Sequence, residues 1–321
     1  MTAVLSERTR VRNRRAEPAP KQPKQPKVPR EPRAQRPVRA PRPGDETAIA
    51  FSTALTMLSI VCLWVAAQLL VLGGLSHDRD QSLLYGEFRT QVASATAPIG
   101  PVVPVGDPVA TLTIARLGID EVVVEGTASG DTLAGPGHLR NTVLPGQVGT
   151  AVVMGRATTY GGPFGALGEL RAGDEIEVVM AQGAKTFTVL GLRRPGDPLP
   201  QPLVEGSARL TLVTAEGGGG RFASLAPDSV LYVDADATEG FPAPSGRPAA
   251  VPDSEKPLAS DSGAVPLLAL DLALLLALTL GVIAARQRWS SVLVWVIASP
   301  VAIALSWTTT DVVMRLLPNV I

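Results

Sequence analysis

The chain has 321 residues, a mean hydropathy of +0.22, and a formal net charge of zero that hides a strong partition. Residues 1–44 contain 13 Lys/Arg against 3 Asp/Glu, whereas residues 77–263 contain 13 Lys/Arg against 22 Asp/Glu. A protein that is basic throughout, as nucleic-acid-coating proteins are, is therefore excluded, and the long apolar blocks exclude a wholly soluble chain. The single cysteine excludes an intramolecular disulfide and a cysteine-based metal site.

The chain begins with a basic, proline-rich tail, residues 1–47. Between residues 16 and 44 proline recurs every two to five positions, and few residues are apolar. Proline removes backbone donors, and no apolar face offsets the entropy of ordering, so we expect an extended, disordered segment. Its positive charge favours a location of the tail in the cytoplasm. Adhesion to anionic lipid and recognition of the proline-rich stretch by a partner stay open as alternatives.

Three apolar blocks are predicted to be membrane-spanning helices. Residues 48–75 contain no charged residue and exceed the roughly 20 residues that a helix needs to cross the hydrocarbon core. Because the basic tail precedes this block, we expect an uncleaved anchor rather than a signal peptide. Residues 265–285 and 291–308 are the second and third predicted spans, joined as a hairpin. Asp271 is expected to be an interfacial carboxylate paired with water or Arg315, with a functional role as the alternative.

The positive-inside rule predicts the orientation of these spans. The basic tail and the loop containing Arg286 and Arg288 should both lie in the cytoplasm. Residues 76–264 then lie outside the cell membrane, and residues 309–321 form a short tail outside as well. Cys62 lies in the middle of the first span, where a thiolate is disfavoured, so we expect it to be inert.

The segment outside the membrane divides into three parts. Residues 76–106 are predicted to form an amphipathic helix, at 81–95, and a linker. Residues 107–236 favour an all-β, closed antiparallel barrel with a hairpin turn at 182–184, because no helical run is long enough to connect parallel strands. Residues 237–264, rich in Pro, Ala, Ser and charge, read as a flexible linker. The predicted strands are 109–117, 119–125, 150–155, 175–181, 185–192, 208–214 and 229–235.

Two stretches of this outer domain, 122–178 and 209–222, resemble the sortase family, particularly the actinobacterial class E sortases. The resemblance implies a sortase-like β-barrel at the outer face of the membrane that acts as a transpeptidase on LPxTG-like sorting signals. Four phrases keep the family's order and spacing and are specific only together: GPGH at 135–138, TTYGGPF at 158–164, LRAGDEI at 170–176 and TLVT at 211–214.

The resemblance also implies a catalytic site with three parts. A Cys ending the TLxTC strand attacks the Thr-Gly carbonyl, a His protonates the leaving amine, and a downstream Arg stabilises the oxyanion. Here Ala215 stands at the Cys position and Arg156 at the His position, followed by Ala157. Arg221 matches the family's Arg. The neighbouring Thr214 should point to the opposite face of its strand.

No catalytic set is therefore expected to be intact. The binding-groove candidates are the same positions, Arg156, Thr214, Ala215 and Arg221, where two cations beside an apolar notch favour an anion or a carbonyl group. Of the histidines outside the membrane, His138 is expected to serve strand-to-turn geometry. We expect no cofactor and no metal, since the acidic residues lack calcium-loop spacing.

The altered site leaves three functions open. The first is an inactive pseudo-sortase at the cell envelope that holds a peptide or partner protein, or, if the groove has decayed, serves as a scaffold. The second is a transpeptidase or hydrolase acting on LPxTG-like signals with a non-standard nucleophile. The third is an accessory subunit that pairs with an active sortase or a transporter. The expected partners are the membrane and a sorting-signal peptide or a protein of the sortase system, without nucleic acid, at the plasma membrane of a Gram-positive, actinobacterial cell.

Overall fold

The computed structural model describes residues 45–217, 227 and 229–321. The predicted disordered tail lies almost entirely outside the described residues, as does Arg221.

The described chain begins with one continuous helix. It consists of α1 (Asp45–Ala67), a π-helical turn (Gln68–Leu72) and α2 (Gly73–Ala93). Gly73 keeps helical dihedral angles, so the helix does not break where the apolar composition ends. The helix predicted at 81–95 is the C-terminal part of α2.

Eight strands form a closed barrel in the order β1-β2-β3-β4-β7-β8-β6-β5. The predicted closed β-barrel is therefore confirmed. The strands are β1 (Pro108–Ile114), β2 (Ile119–Glu125), β3 (Gly137–His138), β4 (Gly149–Met154), β5 (Glu175–Met180), β6 (Gly183–Arg193), β7 (Ala208–Glu216) and β8 (Ser229–Ala237).

Two of the pairings differ from the antiparallel arrangement expected. β2 pairs with β3, and β4 pairs with β7, in parallel. No α-helix lies between β4 and β7 in the described residues. The β5–β6 hairpin and its flanking loops supply the long connection that this parallel pair requires. The hairpin forms as predicted, but its turn is at 181–182 and not at 182–184, since Met180 pairs with Gly183 across two residues.

The barrel interior is filled by alternating apolar side chains of its strands. On β7, Leu210 and Leu212 point inward and are fully buried, while Val213 and Ala215 belong to a second apolar cluster on the outer side of the strand. Both faces of β7 are thus covered, which explains why this strand reads as a nearly continuous buried run.

The linker expected to be flexible packs along the barrel instead. Phe241 donates its amide to the Gly146 carbonyl, at 2.9 Å, and its carbonyl accepts from the Val148 amide, at 2.9 Å. Further along, the buried Glu255 forms an ion pair with Arg140. These contacts fix a segment whose composition alone indicates disorder.

The chain ends in a helical hairpin, α3 (Val265–Arg286) and α4 (Ser291–Leu316). Asp271 of α3 accepts a hydrogen bond from Thr308 Oγ1, at 3.4 Å, and so has a polar partner on α4. Within the described residues three helices are long and apolar enough to cross a membrane: Ala50–Ala67, Ser262–Arg286 and Ser291–Leu316.

Candidate functional site

The candidate site lies where the parallel strands β4 and β7 end side by side. Met154 of β4 pairs with Val213 of β7, so the loop after β4 and the last residues of β7 meet at one end of the barrel. We call the surface between them the groove, lined by Met154, Ala157, Thr159, Val213 and Ala215. The structure thus brings the positions of Arg156 and Ala215 to the same end of the barrel, as the family resemblance implies.

Ala215 presents a methyl group to an apolar surrounding. It is 5% exposed and packs with Met154, Val213 and Val230. A side chain without a heteroatom cannot form a thioester, and the neighbours that contact it are apolar. Thr214 lies on the other face of β7, buried, and its hydroxyl has no hydrogen-bond partner among the described residues.

Arg156 is fully buried, and its guanidinium binds neutral acceptors. Nη2 donates to Ser129 O, at 2.7 Å, and to Ser129 Oγ, at 2.9 Å, while Nη1 donates to Thr159 Oγ1, at 2.8 Å. In the part of the chain that the structure describes, Arg156 forms no ion pair and its Nε has no partner.

Burial lowers the pKa of Arg156 to about 10, against a smaller opposing effect of Tyr160. The group therefore stays charged at neutral pH and does not replace an imidazole as a proton donor. Its hydrogen bonds instead connect two loops of the site, the one containing Ser129 and the one containing Thr159.

The groove is occupied by a segment that follows α4. The carbonyl oxygen of Val320 accepts from the amides of Ala157, at 3.0 Å, and Ala215, at 3.2 Å. The carbonyl oxygen of Ile321 accepts from Thr159 Oγ1, at 2.6 Å. Residues 309–321, treated as a short tail from the sequence, thus contribute residues that sequence reasoning missed. The five residues after α4 have no periodicity and no charge, so no sequence signal placed them here.

The histidines lie beside the groove and not within it. His138 of β3 is buried, with Nδ1 2.7 Å from Glu125 Oε2 and Nε2 2.8 Å from the Val143 carbonyl oxygen. These contacts join β3 to β2 and to the following turn, in keeping with the strand-to-turn role expected of it.

His77 attaches α2 to the barrel. Its Nε2 lies 3.0 Å from both carboxylate oxygens of Glu121. Burial alone would lower the pKa of His77, but the hydrogen bond and charge of Glu121 outweigh it, so the pKa is raised.

Comparison with known proteins shows that this barrel is similar to the sortase domain. Residues 112–217, from β1 to the end of β7, match the family model of the sortase domain. Sortase D of Bacillus subtilis strain 168 is 28% identical over 117 residues, which are 36% of this chain and 51% of that protein. The chain therefore spans about half the length of this curated relative.

Solved structures of sortases are also similar. A Clostridium perfringens sortase D5 transpeptidase is 19% identical, covers 50% of this chain and 98% of its own, and gives a TM-score of 0.40. Sortase E from Streptomyces avermitilis is 29% identical, with coverages of 48% and 100% and a TM-score of 0.35. The family match covers residues 112–217 and leaves the long helices on either side outside it.

Proposed function

We propose that this protein is a membrane-anchored pseudo-sortase, which holds an extended peptide segment in its groove without cleaving it. The observation that carries the proposal is the methyl group of Ala215 at the position where the family resemblance expects a thiol. Removing the nucleophile of a coupled catalytic unit costs on the order of 10⁶ in rate. Arg156, at the position expected for the imidazole, is buried and committed to Ser129 and Thr159.

The peptide-holding part of the proposal is supported by main-chain donors that face the groove. The amides of Ala157 and Ala215 both point at one carbonyl oxygen, and the Thr159 hydroxyl points at the next. Such an array of donors can hold the backbone carbonyls of a peptide. The segment that they hold here forms a turn, because the Ile321 amide donates to the Pro318 carbonyl, at 3.3 Å. A sorting-signal peptide, or an extended segment of a sortase-system protein, is the class of ligand that we propose.

Activity decides between this function and a sortase with a rearranged nucleophile. The full chain in nanodiscs is incubated with a fluorogenic LPxTG-type peptide and an amine acceptor, beside an active sortase that validates the substrate. We expect no turnover above buffer and no mass increase of the protein. Turnover together with a peptide-sized acyl adduct on residues 112–217 would show that the protein is an active enzyme and would contradict the proposal.

A further inference from the structure

We propose that the resident ligand of the groove is the chain's own segment Pro318–Ile321, a tethered peptide that excludes other peptides while it is bound. The inference rests on the proposed function, because it names the occupant of the same groove. It is carried by the burial and the hydrogen bonds of the segment, which forms a turn closed by the Ile321 amide on the Pro318 carbonyl, at 3.3 Å.

The backbone of the segment bridges the two strand ends that form the groove. The Val320 carbonyl oxygen takes one hydrogen bond from Ala157, after β4, and one from Ala215, on β7. The Ile321 carbonyl oxygen takes a hydrogen bond from Thr159 Oγ1, whose orientation is set by Arg156 Nη1. The buried cation thereby positions a residue that binds the segment.

The side chains of the segment are buried against specific partners. Val320 is 0% exposed and lies in the apolar cluster that contains Ala215 and Val230. Asn319, also fully buried, donates from Nδ2 to Thr127 O, at 2.6 Å, and accepts at its carbonyl oxygen from Thr132 Oγ1, at 2.8 Å. Val320 is thus held by apolar packing, and Asn319 is held by hydrogen bonds.

The segment is placed in the groove as the family resemblance implies for a sorting signal. In a signal of the form Leu-Pro-x-Thr-Gly the carbonyl of the fourth residue is the one attacked. In the stretch Leu317–Ile321, which begins with Leu-Pro, the fourth residue is Val320, and its carbonyl oxygen lies 3.2 Å from the amide of Ala215. The segment therefore presents its fourth carbonyl at the position where the nucleophile is missing.

The tether makes this ligand hard to displace. α4 ends at Leu316, and the bound residues begin two positions later, so the segment is held at a high effective concentration near the groove. A free peptide must compete with an intramolecular one, and we expect its affinity for the intact chain to be at least about tenfold lower than for a chain without the segment.

A disulfide trap tests the occupancy in the full chain. In a Cys62→Ala background, the pair Ala215→Cys and Val320→Cys should form an intrachain disulfide under mild oxidation, detected as a cross-linked peptide by mass spectrometry. The matched control pairs Val320→Cys with Leu199→Cys, because Leu199 is 78% exposed and open to any mobile segment. Equal cross-linking of both pairs, or none at position 215, would overturn the proposal.

Peptide binding tests the exclusion. The probe is a fluorescent, N-acetylated peptide Leu-Pro-Asn-Val-Ile, titrated into nanodiscs that contain the intact chain or a chain lacking residues 318–321. Protection of the Gly155 amide, which donates to Val213 O at 2.9 Å, shows by hydrogen exchange whether the shortened barrel is folded. We expect binding to the shortened chain to be at least about tenfold tighter than binding to the intact chain, and weaker binding of a peptide with Ala in place of Asn.

These outcomes separate the inference from the proposed function. Equal affinity of the peptide for both chains would overturn the inference alone. A folded, shortened chain that binds no peptide would overturn the inference together with the peptide-holding part of the proposed function. Neither outcome involves turnover, whereas the proposed absence of catalysis fails only through turnover and an acyl adduct.

Discussion

At position 215 the surroundings of the side chain matter as much as its identity. A reactive thiolate needs an electropositive, partly exposed environment, whereas Ala215 is packed against Met154, Val213, Val230 and Val320. The cation at Arg156 is bound to oxygens of Ser129 and Thr159 and forms no ion pair with a described carboxylate. At the scale of single residues the site is built for packing and backbone hydrogen bonds.

Arg156 should be one of the most sensitive positions of the barrel. Arg156→Ala removes a fully buried side chain and leaves acceptors of Ser129 and Thr159 without their donor. We expect the free energy of unfolding to fall by about 3 kcal/mol or more. Thermal or urea unfolding of the full chain in detergent measures it. Arg171→Ala, on the exposed surface, is the control and should change it by less than about 0.5 kcal/mol.

Asp131, in the loop that carries Ser129, should make stability depend on pH. Burial raises its pKa to about 6, and Glu255 adds to the effect, while the Ala128 amide, Arg140 and Arg315 oppose it. Because the folded-state pKa lies above the ordinary value of 3.8, the folded chain gains stability from this proton at low pH. That stabilisation is lost as the pH rises through about 6.

The variant Asp131→Asn removes this titration while keeping the shape of the side chain. Between about pH 4 and about pH 7 the wild-type chain should lose stability relative to the variant. Unfolding curves of both chains at several pH values measure the difference. Asp253→Asn is the control, because hydrogen bonding to Lys256 lowers the pKa of Asp253 and gives a small dependence of opposite sign. A flat difference for Asp131→Asn would contradict the prediction.

At the scale of elements, α2 is attached to the barrel by polar side chains of one face. Gln81 accepts from the Val122 amide, at 2.6 Å, and donates to the Ala134 carbonyl, at 2.8 Å. His77 adds its contact with Glu121. Since the helix continues from α1 without a break, these contacts fix the barrel relative to the first membrane-span candidate.

Gln81→Ala should loosen this attachment. The change leaves a strand amide and a loop carbonyl without partners, and we expect a loss of about 1–3 kcal/mol. Hydrogen exchange of α2 in the full chain should increase, along with exchange of the Val122 amide. Glu87→Ala on the exposed face of the same helix is the matched control; a similar effect of both changes would show that Gln81 has no special role.

At the scale of the whole molecule, three span candidates flank the barrel in the sequence. We propose that the barrel is outside the cell membrane and that residues 1–47 and the Arg286–Arg288 loop are in the cytoplasm, because positive charge is retained on that side. The barrel then contacts the membrane through a helix at its start and through α4, which leads directly into the groove.

Labelling of single cysteines tests this orientation. In a Cys62→Ala background, Leu199→Cys should react with a membrane-impermeant maleimide in intact cells, whereas Arg288→Cys should react only after permeabilisation. Both positions are exposed, so accessibility of the side chain is matched. Reaction of Arg288→Cys in intact cells would reverse the proposed topology.

Much of the fold could be predicted because its signals are local. Strands such as Ile119–Glu125 carry runs of β-branched residues bounded by Gly, and the span candidates are read from composition. β3 was missed because two residues carry no periodicity. The occupied groove depends on contacts between residues that are more than 150 positions apart, such as Thr159 and Ile321, which one sequence does not reveal.

The short connection after α4 limits how a competing peptide can reach the groove. Three residues lie between Leu316 and Val320, and the four Cα–Cα steps that join them span at most about 14 Å even when fully stretched. In the orientation that we propose, the groove therefore lies close to the lipid headgroups. Polypeptides that are themselves embedded in or adsorbed to the bilayer would meet it by diffusing in two dimensions, while polymers anchored farther out would have to descend to the surface first.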